Sequence, residues 1–523
     1  MNHWIVLPVL LPVLVGTLLV LAARRDLVVA RVLSAASCAA LLALALFLLV
    51  WTSEEGPQTY ALGDWPAPYG IVLVLDRLAA LMLVLANLLA LIVLLYALGG
   101  ADRDGRHFHA LWQFQLMGIN GAFLTGDFFN LFVFFEVLLI ASYGLMVHGG
   151  GRARLKAGVQ YVAVNLVGST LFLLAVGLIY GVTGTLNMAD LAARVPEVAA
   201  DDRALLHTGA LLLLLVFAVK AALVPVHFWL PGTYANAPAP VAALFAIMTK
   251  VGAYAIIRLF TLAFGDDAGA SSWLAAPWLM PAAMLTLLLG MVGVLGAHSL
   301  GQLAGFSVIA SMGTLLMAVG LFTAQALGAA LYYLVHSTLA AAALFLIADQ
   351  VAMRRSRAGD RLALAPPVAQ APLLGGLYFV VAIAVCGMPP LSGFIGKLLI
   401  LDSARTSVSA SWIWGLILGT SLLAIVGFSR AGSLVFWKST SVSGGEREEG
   451  GEASARRRAD RSAAPFVAAM VLQLGSTAML LAGVVALTVF AGPVSEWLDE
   501  TAAEVHEPAR YVDAVLGAAA GNE

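Results

Sequence analysis

Apolar runs of roughly twenty residues follow one another from end to end of the chain, the length needed to cross a ~30 Å hydrocarbon layer. Polar and apolar side chains do not alternate within them, which excludes the strands of a transmembrane barrel. The pattern predicts an all-α polytopic membrane protein. A hydropathy window of about 20 residues divides it into about fourteen transmembrane helices. The first, over 3–23, starts almost at Met1 with no basic leader and no small-residue cleavage site, so it reads as a retained helix rather than a cleaved signal. Two boundaries are soft, Gly126-Asp127 between the fourth and fifth spans and Ala297-His298 between the ninth and tenth. Asp127 is expected to start a helix there.

Proline interrupts two of these spans. Pro225 and Pro231 lie in the seventh, FAVKAALVPVHFWLP, and Pro389 and Pro390 in the twelfth, CGMPPLSGFIGKLLI. Proline removes a helical hydrogen bond, and the freed backbone groups must find partners other than lipid, so both helices are predicted to be discontinuous. Interruptions at corresponding positions of two halves point to a transport site. Taking spans four to eight and nine to thirteen as two units puts each break in the fourth helix of its unit. A unit with an odd number of helices must be inverted relative to its copy. The predicted organisation is therefore N-terminal helices over 1–107, a first five-helix repeat over 108–264, and an inverted second repeat over 273–437. A Gly/Ser/Glu/Arg-rich loop over 438–464 has too little apolar surface to fold and is expected to be disordered. A last helix and a tail of mixed charge occupy 465–523.

Composition sharpens the class. Hydrophobic residues make up 61% of the chain and charged residues 11%, with a mean hydropathy of +0.94; a soluble protein carries about a quarter charged residues. The net charge of −2 singles out no partner and gives no sign of nucleic-acid binding. Basic residues concentrate in the odd-numbered loops: Arg24, Arg25 and Arg31, then Arg103 and Arg106, then Arg152, Arg154 and Lys156. Later odd loops add Arg354, Arg355, Arg357 and Arg361, then Lys438, Arg447, Arg456, Arg457, Arg458 and Arg461. The even loops and the tail hold only Arg194, Arg203, Arg258, Arg405 and Arg510. The positive-inside rule puts odd loops in the cytoplasm and both termini outside. Cys38 and Cys386 both lie in apolar segments, so neither a disulfide framework nor a metal site is expected. No phosphate-binding lysine loop, GxGxxG, HExxH or CxxC occurs, and no cofactor or soluble catalytic site is expected.

The remaining charges lie inside spans, where an ionisable group costs about 2.5–3.5 kcal/mol on insertion scales. Glu136 is near the middle of the fifth, Lys220 in the seventh just before the break, and Lys250 at the centre of the eighth. His336 is at the centre of the eleventh, and Lys397 follows the break of the twelfth. Each must pair, face water, or both. Pairing of Glu136 with Lys220 would keep both ionised, and a proton arriving at either would loosen them. A lone histidine on an apolar face is ordinarily a satisfied core residue, but the depth of His336 and its neighbours Ser337 and Thr338 favour a relay. His227 lies in the broken segment and is as readily a lining residue of a water path as not. Asp76 and Arg77, at the start of the third span, read equally as a local cap or ion pair and as accessory functional groups. Arg77 and Arg430 are near enough to an interface to snorkel.

Four motifs in these positions, FLTGDFFNLFVFFEVLLIASYGLM, KAALVPVHFWLP, MTKVGAYAIIR and GMPPLSGFIGK, resemble one family. The chain looks like an antiporter-like component of the group shared by respiratory complex I, membrane-bound hydrogenases and Mrp multisubunit cation/proton antiporters, most of all the D-type component of the Mrp antiporters. The resemblance covers nearly all of residues 60–440. It implies proton translocation through Glu136, Lys220, Lys250, His336 and Lys397, coupled to Na⁺ or another monovalent cation in a hetero-oligomeric complex of the plasma membrane. Glu136 and Lys220 would gate, Lys250 and His336 relay, and Lys397 form an end of the path. The alternative is a proton-pumping subunit of a complex I-like dehydrogenase or a hydrogenase. Many relatives carry a lysine four or five residues after the eleventh-helix histidine, where this chain has Ala340 and Ala341.

Overall fold

In this computed structural model, residues 3–22, 26–355, 358–438 and 463–517 are described. Almost all of the loop expected to be disordered over 438–464 lies outside them, as do Arg24, Arg25, Arg357, Arg447, Arg456, Arg457, Arg458 and Arg461.

The chain opens with α1 (Leu7–Leu21) and α2 (Leu27–Glu55), then a hairpin of β1 (Gln58–Ala61) and β2 (Val72–Leu75), paired antiparallel with Gln58 opposite Leu75. The apolar run preceding Asp76 reads from hydropathy as part of the third span. Its Val72–Leu75 stretch is instead the strand β2, and α3 (Arg77–Ala97) starts where the Asp76 carboxylate accepts from the Ala79 amide at 2.8 Å. Next come α4 (Phe108–Leu124), α5 (Phe128–Met146), α6 (Arg152–Thr183) and the short α7 (Met188–Arg194). Asp127 caps α5, accepting from Asn130 N at 2.8 Å. The seventh span is two pieces, α8 (Arg203–Ala221) and α9 (Trp229–Asn236), followed by α10 (Ala239–Leu262). Then come α11 (Ala276–Gly296), α12 (Leu300–Val319) and α13 (Ala324–Arg354). The twelfth span is also divided, into α14 (Ala371–Cys386) and α15 (Ser392–Ser403), before α16 (Ala410–Gly432). The described C-terminal part is α17 (Ala463–Val489), the amphipathic α18 (Ala491–Val505) and α19 (Pro508–Val512).

Among the described residues, eleven helices are long and apolar enough to cross a membrane. They match all but three of the expected spans; α1, α4 and the α14–α15 pair are shorter. The burial of these helices is unequal, and that positions the site. All of α10's most apolar window is buried, and α12 and α13 are nearly as enclosed, whereas α2, α16 and α17 present mostly exposed apolar faces suited to lipid. Lys250 and His336 ride on the enclosed helices, so both end at the centre of the bundle. Arg258, counted above with the loop charges, is a correction: it lies inside α10 and is 5% exposed. Arg430, near the end of α16, donates to the Ala297 carbonyl at 2.8 Å.

Candidate functional site

The break in the seventh span is built from backbone. The Leu223 amide reaches back to Ala218 O at 2.9 Å and the Ala222 amide to Val219 O at 3.2 Å, the paired bonds of a Schellman end. Ala222 takes the left-handed conformation (φ 54°) at this turn. Beyond it, the freed Val224 amide donates to Thr286 Oγ1 at 2.9 Å, and the Trp229 indole donates to Val219 O at 3.1 Å. No lipid is needed to satisfy these groups. His227 lies half-buried in the break.

Lys220 stands in the last turn of α8, 6% exposed, and its Nζ donates to Asn165 Oδ1 on α6 at 3.0 Å. The Phe135 ring of α5 faces the same ammonium, 5.7 Å from nitrogen to centroid. The neighbouring Glu136 is half-buried and accepts a hydrogen bond from Ser169 Oγ, also on α6. Glu136 and Lys220 are within electrostatic reach, but they form no ion pair within 4.0 Å. Each bonds instead to a neutral side chain of α6, and those two side chains are one turn apart.

Lys250 is fully buried, and its Nζ has no hydrogen-bond partner among the described residues. Two residues on, Gly252 lets α10 touch the end of α8: a Cβ there would stand 2.7 Å from Ala221 N. Along the same helix, Tyr254 donates to Phe123 O at 2.6 Å, and Arg258 grips Asp76 with contacts of 2.6 and 2.8 Å. The Tyr511 ring of α19 covers the Arg258 guanidinium at 5.0 Å. Arg77 turns the other way, to Glu500 and Glu504 of α18. Burial, and then the Asp76 carboxylate, pushes the Glu504 carboxyl above its usual range. Asp76 and Arg77 thus bind α3 to α10 and to the C-terminal helices.

The second break repeats the first. Gly387 (φ 73°) ends α14, with its amide on Ala384 O at 3.2 Å and the Met388 amide on Ile383 O at 3.1 Å. Lys397 of α15, 7% exposed, folds back so that Nζ donates to Cys386 O and to Ser421 Oγ, each at 2.9 Å. His336, 2% exposed, joins the two sides of this break: Nδ1 pairs with Ser392 Oγ at 2.8 Å, and the ring also hydrogen-bonds the backbone of Ala384. Both Lys250 and Lys397 lie within electrostatic reach of it. The Ser337 and Thr338 hydroxyls both donate to Leu334 O in their own helix, at 3.2 and 2.8 Å. A small cavity beside His336 is lined by Ser307, Ser311, Tyr333, Ala340 and Ala341.

The structure therefore gathers Glu136 and Lys220 at one end, Lys250 at the centre, and His336 with Lys397 at the other end. Each lysine except Lys250 leans on neutral oxygens rather than on a carboxylate, so none is locked in a salt bridge. Among the described residues no cluster of His, Cys, Asp or Glu fits a metal ion. Sequence reasoning missed Asn165, Ser169, Ser392, Ser421 and Arg258. The helical spacing of Tyr161, Asn165 and Ser169 inside an apolar span was the available signal.

The family model described as NADH:quinone oxidoreductase/Mrp antiporter, TM, matches residues 125–425, the region that holds all five groups. A relative from Rhizobium meliloti (strain 1021), named as the D component of a probable K(+)/H(+) antiporter, is 40% identical, covering 99% of this chain and 98% of its own. The D component of the Na(+)/H(+) antiporter of Alkalihalophilus pseudofirmus is 35% identical over 99% of this chain and 100% of its own. Among solved structures, a chain of the Mrp complex from Dietzia sp. DQ12-45-1b superposes with a TM-score of 0.85 at 29% identity, covering 99% of this chain and 100% of that one. With the matched region spanning more than half the sequence and the breaks and buried charges lying inside it, the chain belongs to the NADH:quinone oxidoreductase/Mrp antiporter transmembrane family.

Proposed function

We propose that this chain is the proton-translocating subunit of a multisubunit monovalent cation/proton antiporter, a secondary transporter rather than an enzyme. The observation that carries the reading is the row of buried Lys220, Lys250, His336 and Lys397, interrupted by two satisfied helix breaks. Glu136 and Lys220 form the gating couple. Lys250 and His336 carry the relay, and Lys397 serves the far end. Gaining or losing a proton at one site alters the proton affinity of the next through charge, so occupancy passes along the row. Two inverted repeats fit the matching construction of the breaks, each with a lysine beside a Schellman turn.

The relatives' names offer both Na⁺ and K⁺ as the exchanged cation. Other membrane subunits complete the complex, in the plasma membrane with both chain termini on the outer side. The family also includes NADH:quinone oxidoreductase subunits, but the relatives named as antiporter components favour the antiporter. The assembled complex in everted membrane vesicles tests this. Exchange driven by a pH gradient, with Na⁺ or K⁺ and no electron donor, is expected, and Lys220→Ala is expected to abolish it. Wild-type exchange by assembled Lys220→Ala would overturn the reading. Transport that requires electron flow would move it to a redox-driven pump.

A further inference from the structure

An ammonium and a carboxylate in a low-dielectric interior attract strongly and, left alone, collapse into contact. Glu136 and Lys220 have not done so. Each instead has a neutral partner on α6: Asn165 Oδ1 for Lys220 Nζ at 3.0 Å, and Ser169 Oγ for Glu136. Asn165 and Ser169 are one turn apart, so they share a face and hold their charges at two heights. We propose that α6 is the holder of the separated Glu136–Lys220 couple, with Asn165 the resting partner of the ammonium and Ser169 the resting partner of the carboxylate.

Three features support this role. Asn165 is 1% exposed, and its Nδ2 donates to Tyr161 O at 2.9 Å, which orients Oδ1 toward the Lys220 ammonium. The Tyr161 phenol, one turn before Asn165, bonds the Ser142 hydroxyl at 2.9 Å and so ties α6 to α5, the helix that carries Glu136. The rest of α6 is unlike this stripe: Leu166, Val167, Leu173 and Leu174 are exposed apolar residues. A buried amide in such a helix is costly unless it is hydrogen-bonded, and here its oxygen is satisfied by the gating lysine.

The long stem of Lys220 can reach more than one acceptor. Its ammonium then alternates between Glu136 in the closed couple and Asn165 in the open one, while Ser169 takes up the released carboxylate. The α6 side chains are positioning residues. They lower the cost of separation, and a charge can move on along the row only from the separated state. The proposal rests on the reading that Glu136 and Lys220 gate proton movement.

The test is pH-gradient-driven exchange by the assembled complex in everted vesicles. Ser169→Ala and Asn165→Leu are each expected to slow exchange about tenfold, what one hydrogen bond to a charged group is worth. Ser169→Thr keeps the hydroxyl and is expected to restore most of the rate, which a merely structural role for a small side chain would not. Because Ser169 acts through Glu136, Glu136→Gln with Ser169→Ala is expected to be no slower than Glu136→Gln alone. Wild-type exchange by Ser169→Ala, or losses that multiply in the double variant, would overturn the proposal. Should Asn165→Leu fail to assemble, the Ser169 series decides by itself. Wild-type exchange by Glu136→Gln would instead overturn the gating reading beneath it.

Discussion

Lys397 Nζ lies 2.9 Å from the carbonyl oxygen of Cys386, so an ammonium from α15 sits on the cut end of α14. That end carries the partial negative charge of the helix dipole, and the pairing offsets part of the cost of burying the cation. The fit depends on Gly387. A Cβ at that position would stand 2.6 Å from Lys397 Cδ and 2.9 Å from Nζ, and its φ of 73° belongs to the left-handed region. Gly387→Ala is expected to cost about 1–2 kcal/mol in backbone strain alone and to displace the lysine. Thermal unfolding of the purified complex checks the first effect, and exchange in vesicles the second.

The Asp76–Arg258 pair should matter far more for stability than the charges of Arg77. Removing one partner of a buried pair costs about 3–5 kcal/mol, because the other is left alone. Asp76 and Arg258 are 3% and 5% exposed, whereas the Glu500 side chain that pairs with Arg77 is largely in solvent. Asp76→Ala is therefore expected to lower the melting temperature markedly, and Glu500→Ala to change stability by less than about 1 kcal/mol. Equal shifts would show that the buried pair is not what binds α3 to α10.

Asp102 gives a prediction in pH. Its burial alone would raise the carboxyl, but hydrogen bonds from His109 and Arg31 outweigh that and bring it down to about 2. A carboxyl lowered on folding contributes stability that is present above its unfolded value and is lost as pH falls through the folded one. That contribution is lost progressively as the pH falls below about 5, so the destabilisation caused by Asp102→Asn should shrink as the pH is lowered through that range. A penalty that stays constant as the pH falls would show that the Asp102 carboxylate contributes nothing to stability through its charge.

The close approach at Gly252 predicts a packing effect beside the site. A methyl group there would lie 2.7 Å from the Ala221 amide nitrogen and 3.0 Å from Phe217 O, both backbone atoms with little room to move. Gly252→Ala is expected to push α10 off α8 at a cost of about 1–3 kcal/mol and to slow exchange without changing any charge. An assembled variant with wild-type melting and exchange would show that the gap is wide enough.

What the sequence revealed depended on contrast with its surroundings. Lys220, Lys250 and Lys397 stood out because a charge in an apolar run is expensive, and the breaks stood out because proline cannot continue a helix. Asn165, Ser169, Ser392 and Ser421 did not, since a small neutral polar group barely changes the hydropathy of its segment. Only the folded arrangement shows that they are the partners of the charged groups. Arg258 was misread because it lies near the end of its span, where a basic residue looks like a loop charge. Its partner Asp76 is distant in sequence, and a lone hydropathy profile cannot pair the two. The β2 strand was hidden for the opposite reason: Val72–Leu75 is as apolar as a span.

Lys250 gives the most direct test of proton movement along the buried row, because it stands at the centre with no hydrogen-bond partner among the described residues to give it a structural role. The measurement is pH-gradient-driven cation/proton exchange by the assembled Lys250→Met complex in everted vesicles. Methionine keeps the length and fills the space while removing the titratable nitrogen. Exchange is expected to fall to the level of vesicles lacking the complex, with assembly unchanged. An assembled Lys250→Met complex that exchanges at the wild-type rate would contradict a proton route through the row.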